Sequence, residues 1–196
     1  MPVSYWYPLE EKLILASRSP RRAVILGLAG IPFDQIPSAV EEVPMEGAPE
    51  NIVAHWAGAK ALDIAAAHSE RPVLGADTMV AVKEHVLGKP SDRREARAML
   101  RMLSGAWHSV YGGVNLIWKR RGLDITVVER TRVRFRQLDD REIDAYVATG
   151  EPMDKAGAYG IQGYGCVLVE RVEGCYFNVM GLPISRLVTE LRSALI

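Results

Sequence analysis

Two periods of apolar residues run along this chain, and their changes of phase mark out its elements. Lys12 to Ser17 (KLILAS) is a short apolar run that reads as a strand, followed at once by Ser19-Pro20 and RRAVILGLAG. A serine at the N-cap, a proline at the first helical position and Gly30 as a stop predict a helix directly after that strand. Ile52, Val53, Trp56 and Ala59 fall at helical spacing and predict a second helix from about Glu50 to Ala67. Val73 to Val82 (VLGADTMVAV) is almost continuously apolar and rich in strand formers, the pattern of a buried central strand.

A turn at Lys83-Glu84 and a short return through His85 to Leu87 follow. Ala96, Met99, Leu100 and Leu103 then share one face of a helix that Ser91 or Asp92 can cap. Trp107 to Lys119 and Leu123 to Leu138 read as two long strands joined at Arg120-Arg121-Gly122, an antiparallel pair by the shortness of the connection. Asp139-x-x-Glu142 has the form of a capping box and opens another helix. The glycine-rich segment Lys155 to Gly165 lacks a period and precedes an expected strand at Cys166 to Val172. Pro183 to Leu195 closes the chain as a helix. Helices alternate with strands in the N-terminal half and hairpins dominate the middle, so the expected fold is α/β with a mixed sheet.

Composition narrows the class of function. The 196 residues amount to about one domain, able to bury ~70% of the unfolded surface. Hydrophobic residues make up 48% and charged residues 24%, which excludes a disordered or fibrous chain. Twenty-four basic residues balance twenty-four acidic ones, which argues against gripping a nucleic-acid polymer. No apolar run is long enough for a membrane span, and MPVSYWYPLEEK lacks the pattern of a signal peptide, so the expectation is a cytoplasmic protein. There is no internal repeat. Cys166 and Cys175 read as small core-filling thiols, or as facing residues of a hairpin. His55, His68, His85 and His108 show no pairing at ligand spacing.

Four features carry candidate chemistry. Ser17-Arg18-Ser19-Pro20-Arg21-Arg22 sits at a strand-to-helix turn, where unpaired amides and two arginine forks suit phosphate oxygens; a capped helix with solvated arginines fits the same residues. Asp77 lies inside an apolar strand, where a carboxylate requires a metal or a lysine such as Lys60 or Lys89, unless it caps the strand's solvent end. KAGAYGIQG surrounds Lys155, Tyr159 and Gln162 with glycines that admit a ligand close to the backbone. Arg130, Arg132, Arg134 and Arg136 share one face of a strand whose other face carries Val133 and Phe135, which reads as a half-exposed sheet.

Taken in order, SRSPRR, LGADTMV, GKPSDRREARAMLRMLSGAWHSV, GEPMDKAGAYGIQGYG and VMGLPIS resemble the Maf family of nucleoside triphosphate pyrophosphatases. The resemblance runs from about Leu13 to Leu195, which sets residues 1–11 apart as an N-terminal extension to a catalytic domain over 12–196. It implies an elongated single α/β domain with a twisted mixed sheet, flanking helices and a central cleft, similar to inosine triphosphate pyrophosphatases, and a homodimer. It further implies hydrolysis of a nucleotide to the monophosphate and pyrophosphate with a divalent cation, Mg²⁺ or Mn²⁺, the metals that carboxylates suit.

By the same resemblance Asp77 matches the proton acceptor, and Ser17, Arg21, Arg22, Lys60, Lys89 and Gln162 match cleft residues. Glu41 and Glu42 fall where the family carries an acidic residue associated with metal or water, Glu42 being the preferred partner of Asp77 in holding a metal. The Asp-Thr pair and YGIQG loop, with Arg21, Thr78 and Gln162, resemble the branch acting on dTTP and UTP and not the branch acting on 7-methyl-GTP. Two positions depart from the family: Tyr111-Gly112-Gly113 stands where a threonine follows HSV, and Cys175 where an aspartate is common. The competing expectation is a nucleotide-binding regulator of cell division that does not require turnover.

Overall fold

The computed structural model describes residues 11–195, so all but Glu11 of the expected N-terminal extension lies outside the described residues. The chain runs β1 (Leu13–Leu15), α1 (Pro20–Leu28), β2 (Phe33–Gln35), α2 (Pro49–Ala65), β3 (Val73–Val82), β4 (His85–Leu87), α3 (Arg93–Leu103), β5 (Trp107–Trp118), β6 (Leu123–Phe135), α4 (Asp140–Ala148), β7 (Val169–Glu173), α5 (Tyr176–Met180) and α6 (Ile184–Leu195). The strands form one sheet in the order β2-β1-β3-β5-β6-β7, with β4 also on β3. β1 is parallel to β2 and β3, whereas β4 is antiparallel to β3 and β7 to β6, so the sheet is mixed as the alternation of elements predicts. Among the described residues no helix is long and apolar enough to cross a membrane.

The chain divides into two compact units. One comprises the chain up to Asp77, Gly112–Glu129 and Gly181 onward; the other comprises Thr78–Tyr111 and Arg130–Met180. In the first, Ile14, Ala16, Ala61, Ala65, Val73 and Ile117 form a core cluster between α2 and the sheet. α2 lies almost in backbone contact with the strands beneath it. A Cβ on Gly75 would stand 2.1 Å from the Ala57 carbonyl oxygen, and one on Gly113 would stand 2.3 Å from that of Val53. Gly113 belongs to the Tyr111-Gly112-Gly113 stretch, and the close seat of α2 gives it a packing role.

In the second unit α3 buries Ala96, Met99, Leu100 and Leu103, the face that its period predicts. Asp92 caps α3 by accepting from the Glu95 amide, while the Glu95 carboxylate accepts from both the amide and hydroxyl of Ser91. The capping box of α4 is complete: Asp139 accepts from the Glu142 amide, and Glu142 accepts from that of Asp139. Three of the four arginines of the stripe are paired with carboxylates. Arg132 and Arg134 pair with Glu173 and Glu170 of the β7 strand, Arg136 pairs with Glu142, and Arg130 donates to the Ser109 hydroxyl. Val133 and Phe135 on the other face are fully buried, so the half-exposed sheet is the correct reading of that stripe.

Three expectations change. β6 ends at Phe135 instead of Leu138, because the Arg136 amide donates to Leu168 and the Leu138 amide to the Ser104 hydroxyl. The strand expected from Cys166 begins only at Val169, Gly163–Leu168 being a 3₁₀ turn. The cysteines neither face one another across a hairpin nor fill the core: Cys166 is exposed, and half-buried Cys175 leads into α5. Thr131 Oγ1 diverts that segment from the sheet, accepting from the Cys175 amide and donating to its carbonyl.

Candidate functional site

The turn between β1 and α1 is organised by Ser17, not by the expected cap Ser19. Ser19 makes no side-chain cap bond, whereas Ser17 Oγ accepts from the Ser19 amide at 3.2 Å and from Arg22 Nη1 at 2.8 Å. Pro20 starts α1 with φ preset for a helix, and this places Arg22 on the inward face of the first turn. Arg22 Nε donates to the Gly181 carbonyl at 2.9 Å, which ties the start of α1 to the segment before α6. Arg22 is 9% exposed, and burial lowers the pKa of its guanidinium; Asp77 opposes that shift, Arg21 reinforces it and Glu42 opposes it. Arg21, beside it, is half-buried.

Asp77 is 7% exposed within β3, and its partner is Lys60 of α2. Lys60 Nζ donates to Asp77 Oδ1 at 2.9 Å and to Glu42 Oε1 at 2.5 Å, with the Ala76 carbonyl at 3.4 Å. Two carboxylates thus converge on one buried ammonium, which meets the cost of burying Asp77. Glu42, not Glu41, makes this contact. Its segment is held by Asp63 of α2, which accepts from the Ser38 hydroxyl at 2.8 Å and the Ala39 amide at 3.0 Å. Asp63 lies almost one helical turn beyond Lys60, so α2 supports both partners of the ion pair. Asp63 and the Gly181 carbonyl give no signal in the sequence, since neither belongs to a local pattern.

Ser17, Arg21, Arg22, Glu42, Lys60 and Asp77 all belong to the first compact unit; Thr78, Lys89 and Gln162 belong to the second. β3 continues through Thr78 without ending or turning, and strand alternation directs Thr78 to the face opposite Asp77. Lys89 is exposed, in the turn after β4. The glycine-rich segment docks beside it, the Gly157 amide donating to the Gly88 carbonyl at 3.0 Å. Gln162 is half-buried, and among the described residues its side chain forms no hydrogen bond. Lys155, flanking the same segment, is committed to the Glu151 carbonyl and the Asp154 carboxylate, each at 2.6 Å.

Behind this segment lies a polar contact in an apolar setting. His108 Nε2 and the Tyr159 hydroxyl are 2.8 Å apart, and both rings meet Phe135 edge to face. Burial lowers the His108 pKa to about 4 and raises that of Tyr159, so at neutral pH both are uncharged. None of the four histidines enters a metal cluster. Among the described residues no three or more His, Cys, Asp or Glu side chains gather in a way that could hold a metal.

A family model described as Maf-like protein matches residues 12–194. Proteins named dTTP/UTP pyrophosphatase from Bacillus anthracis and Bacillus cereus are each 52% identical over 183 residues, covering 93% of this chain and 95% of theirs. A crystal structure of a nucleoside-triphosphatase, or dITP/XTP pyrophosphatase, from Mycobacterium abscessus is similar at 18% identity with a TM-score of 0.46, over 94% of this chain and 98% of that one.

Proposed function

The chain belongs to the Maf-like protein family, and we propose from that premise that it hydrolyses dTTP and UTP to the monophosphate and pyrophosphate. The observation that carries the reading is the cluster of buried Arg22, Lys60 and Asp77 with Glu42 at the turn from β1 to α1. A triphosphate brings several negative charges. Cleaving it between the α and β phosphates requires cations for those charges and a carboxylate that takes a proton from water. Arg21 and Arg22 supply planar forks next to a helix N-terminus, and Lys60 and Lys89 supply point charges. Asp77 is the proton acceptor, held in one orientation by Lys60.

A divalent cation fits the donor chemistry. Asp77 and Glu42 are carboxylates brought to a common positive centre, which suits Mg²⁺ or Mn²⁺, ions that take one or two carboxylates together with water and substrate phosphates. These two residues would hold it, and the ion supplies charge neutralisation at the attacked phosphorus. Arg22 stays oriented by Ser17 and Gly181 throughout, so its charge requires little reorganisation on binding.

Base choice falls to Gln162. A uracil or thymine edge presents two carbonyl acceptors around one N–H donor, and a glutamine amide offers one acceptor and two donors. Cytosine inverts part of that pattern and leaves polar groups unpaired, a penalty that an apolar pocket does not impose. The test is a panel of triphosphates incubated with the purified chain and Mg²⁺ or Mn²⁺, with pyrophosphate and phosphate assayed separately. Pyrophosphate and monophosphate from dTTP and UTP are expected. Tight nucleotide binding with no turnover of any member would favour a regulatory binding protein instead.

A further inference from the structure

The segment that carries Gln162 has no sheet ladder to hold it, yet its backbone is tied down on both sides of that residue. The Gly160 amide, two residues before Gln162, donates to the Tyr146 hydroxyl at 3.0 Å. The Tyr164 amide, two residues after it, donates to Glu151 Oε2 at 2.9 Å, and the Gly165 amide donates to Glu151 Oε1 at 3.1 Å. The two anchors are joined, because the Tyr146 hydroxyl donates to Glu151 Oε1 at 2.9 Å. Both are rigidly mounted. Tyr146 is 5% exposed in α4, the helix with the complete capping box, and burial raises its pKa so that it remains a hydrogen-donating phenol. Glu151 follows α4 directly, its carbonyl accepting from Lys155 Nζ and its amide donating to the Thr149 hydroxyl at 3.1 Å.

The glycines show that this is a built arrangement. Gly163 has φ +72, and a Cβ there would lie 2.4 Å from Glu151 Oε2, so the loop turns around the carboxylate at the one residue type that allows it. Gln162 is therefore the side chain presented by a short arc whose ends share a single carboxylate–phenol pair.

We propose that Glu151 and Tyr146 are positioning residues that set the base selectivity of this loop, acting through backbone amides without touching the nucleotide. The inference rests on the reading of Gln162 as the residue that faces the base. A directional amide discriminates only when held to within about 0.5 Å of its matching geometry, and a misplacement of about 1 Å can cost as much as ~100-fold. With these amides released, the Gln162 amide would no longer meet a uracil edge in one orientation, and the preference for uracil over cytosine would fall.

The experiment compares kcat and KM for UTP and CTP in wild type, Glu151→Gln, Tyr146→Phe and Gln162→Ala, together with amide hydrogen exchange over residues 160–165. Glu151→Gln keeps the shape but leaves one oxygen where two served, and Tyr146→Phe removes only the hydroxyl. In both, the UTP-to-CTP ratio of kcat/KM is expected to drop about tenfold or more while kcat for UTP changes far less, and amides 160, 164 and 165 exchange faster. If Gln162→Ala keeps the wild-type ratio while Glu151→Gln lowers it, the reading of Gln162 fails and the positioning role stands. A wild-type ratio in both Glu151→Gln and Tyr146→Phe overturns the positioning role whatever Gln162→Ala does. An equal loss for both nucleotides, with the ratio intact, shows structural support alone and overturns it too. Should Glu151→Gln fail to fold, the ratio in Tyr146→Phe decides between these outcomes by itself.

Discussion

The two groups of candidate residues are built on opposite plans. Around Asp77 the candidate side chains are themselves the structure: Arg22, Lys60 and Asp77 are each less than a tenth exposed, Lys60 bonding Asp77 directly and Arg22 bonding Ser17 and the Gly181 carbonyl. Around Gln162 that side chain makes no hydrogen bond among the described residues, and the holding is done by Tyr146, Glu151, His108 and backbone amides. Substitutions in the first group should change folding and chemistry together. In the second group the two should separate.

Asp77→Asn tests the first plan most severely. As proton acceptor, Asp77 should be worth about 10² to 10⁴-fold in kcat, and because the amide leaves the buried Lys60 ammonium without the charge of its Asp77 partner, stability should fall as well. Steady-state kinetics beside denaturant unfolding check this; a wild-type kcat would remove Asp77 from the chemistry. Lys60→Met leaves Asp77 and Glu42 facing each other without their cation. Breaking a buried pair from one side costs about 3 to 5 kcal/mol, to be read by denaturant unfolding. An unchanged midpoint would mean that another cation takes the place of Lys60.

The second plan carries its own pH signature through His108. The folded pKa of about 4 lies below the ordinary value of 6.5, so between those values the unfolded chain binds more protons than the folded one. Stability from this group is fully present above pH 6.5 and is lost progressively as the pH falls from about 6.5 toward 4, by about 3 kcal/mol at most. Comparing His108→Gln with wild type across pH 7 to 4 isolates it: the variant should show the shallower decline, and parallel curves would refute the assignment.

Smaller effects sharpen the contrast. Arg22→Lys keeps a charge but not the fork that reaches both Ser17 and Gly181, and should lose about 1.5 to 3 kcal/mol of stability together with substrate affinity. Lys89→Ala, at an exposed turn, should stay within about 0.5 kcal/mol of wild type in unfolding while raising KM for the triphosphate. A large stability loss at Lys89, or an affinity change without a stability change at Arg22, would erase the distinction between the two plans.

Local order was legible in the sequence wherever one element's own residues set it. The α3 face of Ala96, Met99, Leu100 and Leu103, the Asp139–Glu142 capping box, the full extent of β3 and the buried aspartate in need of a lysine all follow from spacing within a few residues. Residue types that suit phosphate were legible as well, at Arg21, Arg22 and Lys60. Their partners were not. Arg22 meets a carbonyl 159 residues away, Lys60 finds Glu42 only because Asp63 holds the segment beside it, and Cys175 enters α5 because Thr131 captures its backbone. Periodicity and capping are written in neighbouring residues, since they arise from the fixed rise and pleat of one element. Hydrogen bonds between distant segments depend on which backbone atoms the packed sheet and helices bring within 3 Å, and no property of Glu151 or Gly181 along the chain encodes that proximity.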